Sequence, residues 1–312
     1  MAVRTDLSVD WLFASCGTFE TATIHRRKMT QSGGWEAVLS EPAMGRTSLA
    51  IAPSDQSVIY ALSASLEPGP GGHYEDALHA VHRSTAGGSP GTWRVRVDNT
   101  DPEKLNTLLL TNPAGAAWAD CGWGEQNSWT PMGWYCNVIA VDPTNPDVVW
   151  AAGVDLFRSD DGGRNWGLAS YWWRWDVDEP PGPSFVHADQ HTIVFHPDYD
   201  GVDVRTMFTG SDGGIFRTDN PYASIGHDET AICDPARSEM VFNTLNHGFG
   251  ITQFYHGAPY PGGNGYLGGT QDNGTILGFD QWGRDGWLWI SGGDGGYVAI
   301  DPNDTQILYV ES

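Results

Sequence analysis

Residues 137–168 read NVIAVDPTNPDVVWAAGVDLFRSDDGGRNWGL, and the way this stretch divides decides the fold. An apolar run, NVIAV, stops at Asp142-Pro143, because proline offers no N–H for a further ladder bond. A polar turn follows, then a second apolar run, VVWAAG, and a third, LFRS. Four to six residues per run, bounded by Pro, Asn, Asp and Gly, is the signature of short antiparallel strands. The end of the stretch has its own pattern, S-x-D-x-G-x-x-W, carried by Ser159, Asp161, Gly163 and Trp166. The Asp carboxylate can accept backbone N–H bonds inside a tight hairpin, Gly permits positive φ, and Trp packs beneath the turn.

The same phrases recur along the chain, which makes repetition the organising feature. The strand-Pro-strand phrase returns as SLAIAPSDQSVIYALSAS (48–65), TIVFHPDYDGVDVRTMFTG (192–210) and YVAIDPNDTQILYVES (297–312). The hairpin phrase returns more loosely as IHRRKMTQSGGWEAVL (24–39), AVHRSTAGGSPGTWRVRV (80–97) and IFRTDN (215–220). Trp35, Trp93 and Trp166 hold the repeat position and are expected in the core.

Composition sets the limits. The chain has 312 residues, 40% of them apolar, enough for a sizeable core, and no apolar run reaches the length of a membrane span. Against 39 Asp and Glu stand 16 Lys and Arg, a net charge of -23, and only Lys28 and Lys104 are lysines. Such a chain repels phosphate backbones, so nucleic-acid binding is set aside, and membrane insertion with it. The charge fits a solvated surface from a saline or high-GC organism, or an acidic groove for a cationic or metal-bound ligand.

The four cysteines, Cys16, Cys121, Cys136 and Cys233, form no C-x-x-C pair. Cys121 and Cys136 flank a Trp-rich loop, and a disulfide between them is one reading. The N-terminus, MAVRTDLSVDWLF, shows no secretion signal, which suits a cytoplasmic protein or a piece of a longer chain.

The hairpin phrase resembles the Asp-box, or bacterial neuraminidase repeat, of sialidases, xyloglucanase-type glycoside hydrolases, sortilin-type receptor domains and photosystem assembly factors. All of these are β-propellers. The succession GWYCNVIAVDPTNPDVVWAAG, HADQHTIVFHP, GSDGGIFRTD, ITQFY, GGTQDNGT and GGDGGYVAIDP is similar to large bacterial glycosyl-hydrolase-like propellers, over almost the whole chain. The resemblance implies an all-β propeller of four-stranded antiparallel blades. Blades are expected at about 46–100, 132–178, 185–250 and 251–290, with partial blades at 8–45 and 295–312. Since related propellers usually have seven blades, an incomplete ring is expected, within one domain or fragment of one. An extracellular or periplasmic setting is implied if the native protein carries a signal peptide.

Chemistry in a propeller belongs where strand ends and loops of several blades converge. With period 2, HADQHTIVFHP places His187, Asp189 and His191 on one strand face, where the neighbouring phrase has Gly133, Tyr135 and Asn137. Two imidazoles and a carboxylate suit a divalent metal, although no cofactor is required by the fold. A metal-free catalytic or binding group and a hydrogen-bonded structural cluster are the alternatives. Asp212, Asp272 and Asp294 lie in glycine-rich turns, with Gln271 and Asn273 beside the second. GSDGGIFR is similar to the segment carrying one catalytic Asp in xyloglucanase-type glycosidases, and GGDGG loosely to the region of the other; stapling of turns is the alternative. The sialidase R-I-P motif is absent, so the resemblance points away from sialidase activity.

Flat aromatic faces stack on sugar rings, so the loops holding Trp123 and Trp129, and Trp172, Trp173 and Trp175, are candidates for a glycan platform; packing between blades is the alternative. Two functions stay open: a propeller acting on or binding a polysaccharide, and a sortilin-like recognition propeller binding a protein or peptide.

Overall fold

The computed structural model describes residues 1–30, 32–175, 182–247 and 252–311, without the side chain of Trp175. Strands follow one another as up-and-down antiparallel meanders. The first sheet holds β1 (Ala2–Arg4), β2 (Trp11–Cys16), β3 (Thr23–Lys28) and β4 (Glu36–Leu39). The second holds β5 (Met44–Ile51), β6 (Ile59–Ser65), β7 (Leu78–Ser84) and β8 (Arg94–Asp98). The third holds β9 (Val138–Val141), β10 (Val149–Ala152), β11 (Leu156–Ser159) and β12 (Gly167–Leu168). The fourth runs β13 (Gln190–Phe195), β14 (Met207–Ser211), β15 (Gly214–Thr218) and β16 (Asn243–Thr244). The fifth runs β17 (Phe254–Pro259), β18 (Gly265–Thr270), β19 (Gly274–Phe279) and β20 (Trp287–Ser291), before the pair β21 (Val298–Ile300) and β22 (Leu308–Val310).

The class is therefore all-β, with the four-stranded antiparallel sheet that forms a propeller blade. Residues 8–45, expected to be part of a blade, belong to a whole four-stranded sheet, because Ala2–Arg4 adds a strand along Trp11–Phe13. Among the described residues helix is confined to single turns, including α1 (Lys104–Thr107), α2 (Pro113–Ala116) and α3 (Thr230–Cys233). No helix among the described residues is long and apolar enough to cross a membrane.

The repeated phrase folds the same way at each recurrence. The residue before the proline donates its N–H across the turn: Ala52 to Val58 O, Asp142 to Val148 O, His196 to Thr206 O and Asp301 to Ile307 O, all at 2.9–3.1 Å. Where that residue is Asp, its carboxylate adds a second tie: Asp142 Oδ1 accepts from Thr144 and Asn145 N–H, and Asp301 Oδ1 from Asn303 and Asp304 N–H. Asp142 also accepts the hydroxyls of Tyr199 and Tyr222, at 2.6 and 2.7 Å.

The chain divides into two compact units, Met1–Ser211 with Phe216–Asn243, and Asp212–Ile215 with Thr244–Ser312. In the first, the main core gathers Tyr60, Leu62, Leu105, Leu109, Phe157 and Trp166, all fully buried. Trp93 is buried too, whereas Trp35, expected in the core, is 48% exposed. The reason is local. Ser159 Oγ accepts from Gly163 N–H at 2.9 Å and Ser84 Oγ from Gly88 N–H at 3.2 Å, closing each turn over its Trp. The copy containing Trp35 has no Ser or Asp at those positions.

Candidate functional site

The loops at one end of the sheets carry the chemistry-bearing side chains. Among the described residues, four other than glycine adopt positive φ, and three of them are aspartates at these strand ends: Asp76 (63°), Asp189 (64°) and Asp272 (58°). Left-handed backbone at such residues stores strain of order 1–3 kcal/mol, a feature concentrated at functional sites.

In the first unit, Asp155 occupies the turn between β10 and β11. Its Oδ1 accepts from Ser170 Oγ at 2.7 Å and from Trp172 N–H at 3.0 Å. Burial pushes its pKa up to about 8, the two hydrogen bonds opposing and the charge of Asp189 adding to the rise. Asp155 is thus mostly a neutral carboxylic acid at pH 7. The Tyr171 hydroxyl nearby is buried, and burial also raises its pKa. The sequence offered one signal for Asp155, a lone carboxylate between two apolar runs.

His187, Asp189 and His191 do not share a strand face. β13 begins at Gln190, and its register against β14 slips between Gln190 and Thr192, so His191 falls at the irregularity and the other two precede the strand. The strand instead turns Gln190 inward, where Oε1 accepts from Thr209 Oγ1 at 2.8 Å and Nε2 donates to His187 O at 2.5 Å. Cys136 Sγ donates to Asp189 Oδ1 at 3.5 Å, and the His191 ring meets Tyr135 edge to face at 4.8 Å. The described residues contain no group of three or more His, Cys, Asp or Glu placed to hold a metal.

The disulfide joins Cys121 to Cys233, with Cα atoms 5.2 Å apart, and not Cys121 to Cys136. The segment after α2 runs beside α3, while Cys136 is buried at the approach to β9 with its thiol on Asp189. Nothing in the spacing distinguished these partners.

The aromatic loops meet. Trp118 and Trp123 are edge to face at 5.4 Å, Trp123 and Trp173 are 4.8 Å apart, and Trp173 packs on Tyr171 at 6.3 Å. Trp172 Nε1 donates to Asn112 Oδ1 at 3.0 Å, and that same oxygen caps α2 through Gly115 N–H. Trp172 and Trp173 are half-buried, and the side chain of Trp175 lies outside the described residues. Trp129 stacks on His73 at 4.8 Å and lines a depression of about 360 Å³ with Glu75 and Asp76. Burial raises the pKa of Asp76.

In the second unit, two candidate aspartates come together: the Asp272 backbone N–H, in the β18–β19 turn, donates to Asp294 Oδ1 at 2.8 Å. Asn273 Nδ2 donates to Gln271 O at 2.9 Å, so the side chain braces its own turn, and Gln271 N–H donates to Gln253 O. Asp212 opens a turn that Asn246 ties, its amide accepting from Ile215 N–H at 2.8 Å and donating to Gly213 O at 2.7 Å. Sequence reading passed over Tyr266 and Trp287, which line two cavities of about 290 and 260 Å³.

No family model matches the chain. Over 138 residues, 38% of the chain, it is 28% identical to a protein described as a probable oligoxyloglucan-reducing end-specific xyloglucanase of Neosartorya fischeri. That stretch is 16% of the fungal protein's length, so the chain matches only a small part of that relative. The crystal structure of the GH74 enzyme of Niastella koreensis aligns over 95% of this chain and 40% of its own, with a TM-score of 0.39 and 15% identity.

Proposed function

We propose that the chain is part of a glycoside-hydrolase-like propeller that acts on or binds a polysaccharide at the loop end of its sheets. The observation that carries the reading is the 28% identity over 138 residues to a xyloglucanase. The side chains at the loop ends supply what such a function needs. Trp123, Trp129, Trp172 and Trp173 offer aromatic surface for sugar rings, and Gln271 and Asn273 offer amides for hydroxyls. Asp212, Asp272 and Asp294 are the carboxylates for acid and base roles, since hydrolysis requires one group to protonate the leaving oxygen and another to activate water or attack. Asp155 is too deeply buried to touch a substrate. We read the turn over Trp166 as an Asp-box with a structural role. The Cys121–Cys233 disulfide suits an extracellular or periplasmic setting.

One observation favours the second reading, a recognition propeller that binds without catalysis: the Asp294 carboxylate already accepts the Asp272 N–H, as a turn staple would. A reducing-sugar assay against xyloglucan and a panel of β-glucans separates them. Release of ends by the wild type, falling at least 100-fold in D212N or D294N with unchanged melting temperature, supports catalysis. Retardation in a xyloglucan affinity gel without release supports glycan recognition. Neither release nor retardation with any polysaccharide contradicts the proposal.

A further inference from the structure

Positive charge is scarce in this chain, 16 Lys and Arg in 312 residues, yet three arginines gather at one turn. The turn is Asp161–Gly163, at the end of β11 opposite Asp155. Gly162 and Gly163 are both left-handed, with φ of 75° and 87°. The space above them is taken by guanidinium-bearing side chains. A Cβ on Gly162 would collide with Arg83 Nη1, and one on Gly163 would lie 3.5 Å from Cβ and Cγ of Arg96 and 3.6 Å from the Tyr60 ring. Arg83 lies over that ring at 5.3 Å. Arg164 follows the two glycines directly.

Charge pairing around the turn is incomplete. Arg83 Nη2 pairs with Asp147, but its Nε is buried without a partner. Arg164 donates through Nη1 to the Asp161 carbonyl at 3.0 Å. Asp161's own carboxylate is occupied by Ser159 Oγ, Arg164 N–H, and the backbone and side-chain amides of Asn165. The Arg96 side chain has no hydrogen bond or ion pair among the described residues, and its Nε is buried and unpartnered. Burial first, and then the neighbouring Arg164 and Arg83, lower its pKa, and Tyr60 and Asp147 oppose them more weakly. A half-buried cation beside two others is stabilised when a further counter-charge reaches it. Guanidinium forks match carboxylate, sulfate and phosphate oxygens.

We propose that Arg96, flanked by Arg83 and Arg164, binds an oxyanion at this turn. Its source is either the carboxylate of a uronic acid or a sulfate or phosphate group. The site is at the opposite end of the sheet from the proposed polysaccharide loops and stands independently of that reading.

The test is a melting-temperature titration with sodium glucuronate, sulfate and phosphate, each against sodium chloride at equal ionic strength, on the wild type, R96Q, R164Q and R94Q. Arg94, which donates to the Gly91 and Trp93 carbonyls, is the control. The expected result is a saturable rise with at least one oxyanion, with affinity reduced at least tenfold in R96Q, several-fold in R164Q and unchanged in R94Q. A rise with glucuronate alone assigns the carboxylate source; a rise with sulfate or phosphate alone assigns the tetrahedral one. Should R96Q fail to fold, the several-fold loss in R164Q carries the test. A wild-type response equal to that of chloride, or undiminished affinity in both R96Q and R164Q, overturns the proposal.

Discussion

Asp155 immediately precedes β11 and Asp161 lies two residues beyond its end, and the two are treated in opposite ways. Asp161 accepts four hydrogen bonds from Ser159, Arg164 and Asn165. Burial alone would raise its pKa, but the Asn165 donors, the Ser159 hydroxyl and the Arg164 N–H together hold it below the ordinary carboxylate value. Asp155 is fully buried, receives only two hydrogen bonds and faces the negative charge of Asp189, so it is held neutral. One end of the strand therefore uses a carboxylate to close a hairpin. The other buries a carboxyl group beneath a loop rich in tryptophan. Identical residue types at the two ends of one strand differ because burial and donors, not residue identity, decide the charge state.

The comparison can be broken most severely at Trp166, fully buried beneath the Asp161 turn with Nε1 on the Gly163 carbonyl at 3.1 Å. W166A is expected to lower unfolding free energy by about 3–5 kcal/mol in urea titrations. D161A removes one acceptor for four donors and is expected to lower it by about 1–3 kcal/mol, without affecting the opposite loops.

Asp155 behaves differently, and its effect is read as a slope. Its folded pKa, about 8, lies above the unfolded value, so the folded state binds the extra proton between about pH 4 and pH 8. The stability it contributes is present at the acid end and lost as pH rises towards 8, on the order of 1 kcal/mol per pH unit. D155N keeps an acceptor for Ser170 and Trp172, so it should flatten that slope and leave the variant relatively more stable at pH 8. An unchanged slope would show Asp155 to be ionised. The smallest effect is expected at the exposed pair Arg217–Asp219, 2.7 Å apart. D219N should change stability by no more than about 0.5 kcal/mol.

Strand order and turn chemistry were legible because they are local. The Pro that stops a strand and the Ser that closes a hairpin act on neighbours a few residues away, and each repeats. Long-range relations were not legible. Cys121 pairs across 112 residues with Cys233, a distance over which spacing carries no information. The alternation read in HADQHTIVFHP fails because a register slip and a left-handed Asp189 lie inside it, and neither leaves a mark in the sequence. Trp35 shows the limit of a repeat read by its Trp alone: its copy lacks the Ser that closes the turns over Trp93 and Trp166. The raised pKa of Asp155 depends on what is packed above it, from residues 170–172.

The separation of the stapled end from the proposed polysaccharide-binding end is tested most directly by the indole N–H resonances of the tryptophans during titration with xyloglucan oligosaccharides. The account predicts saturable shifts for Trp123, Trp129, Trp172 and Trp173, with Trp93, Trp150 and Trp166 unmoved. Shifts confined to Trp93 and Trp166, or none at the loop-end indoles with any polysaccharide fragment, would contradict it.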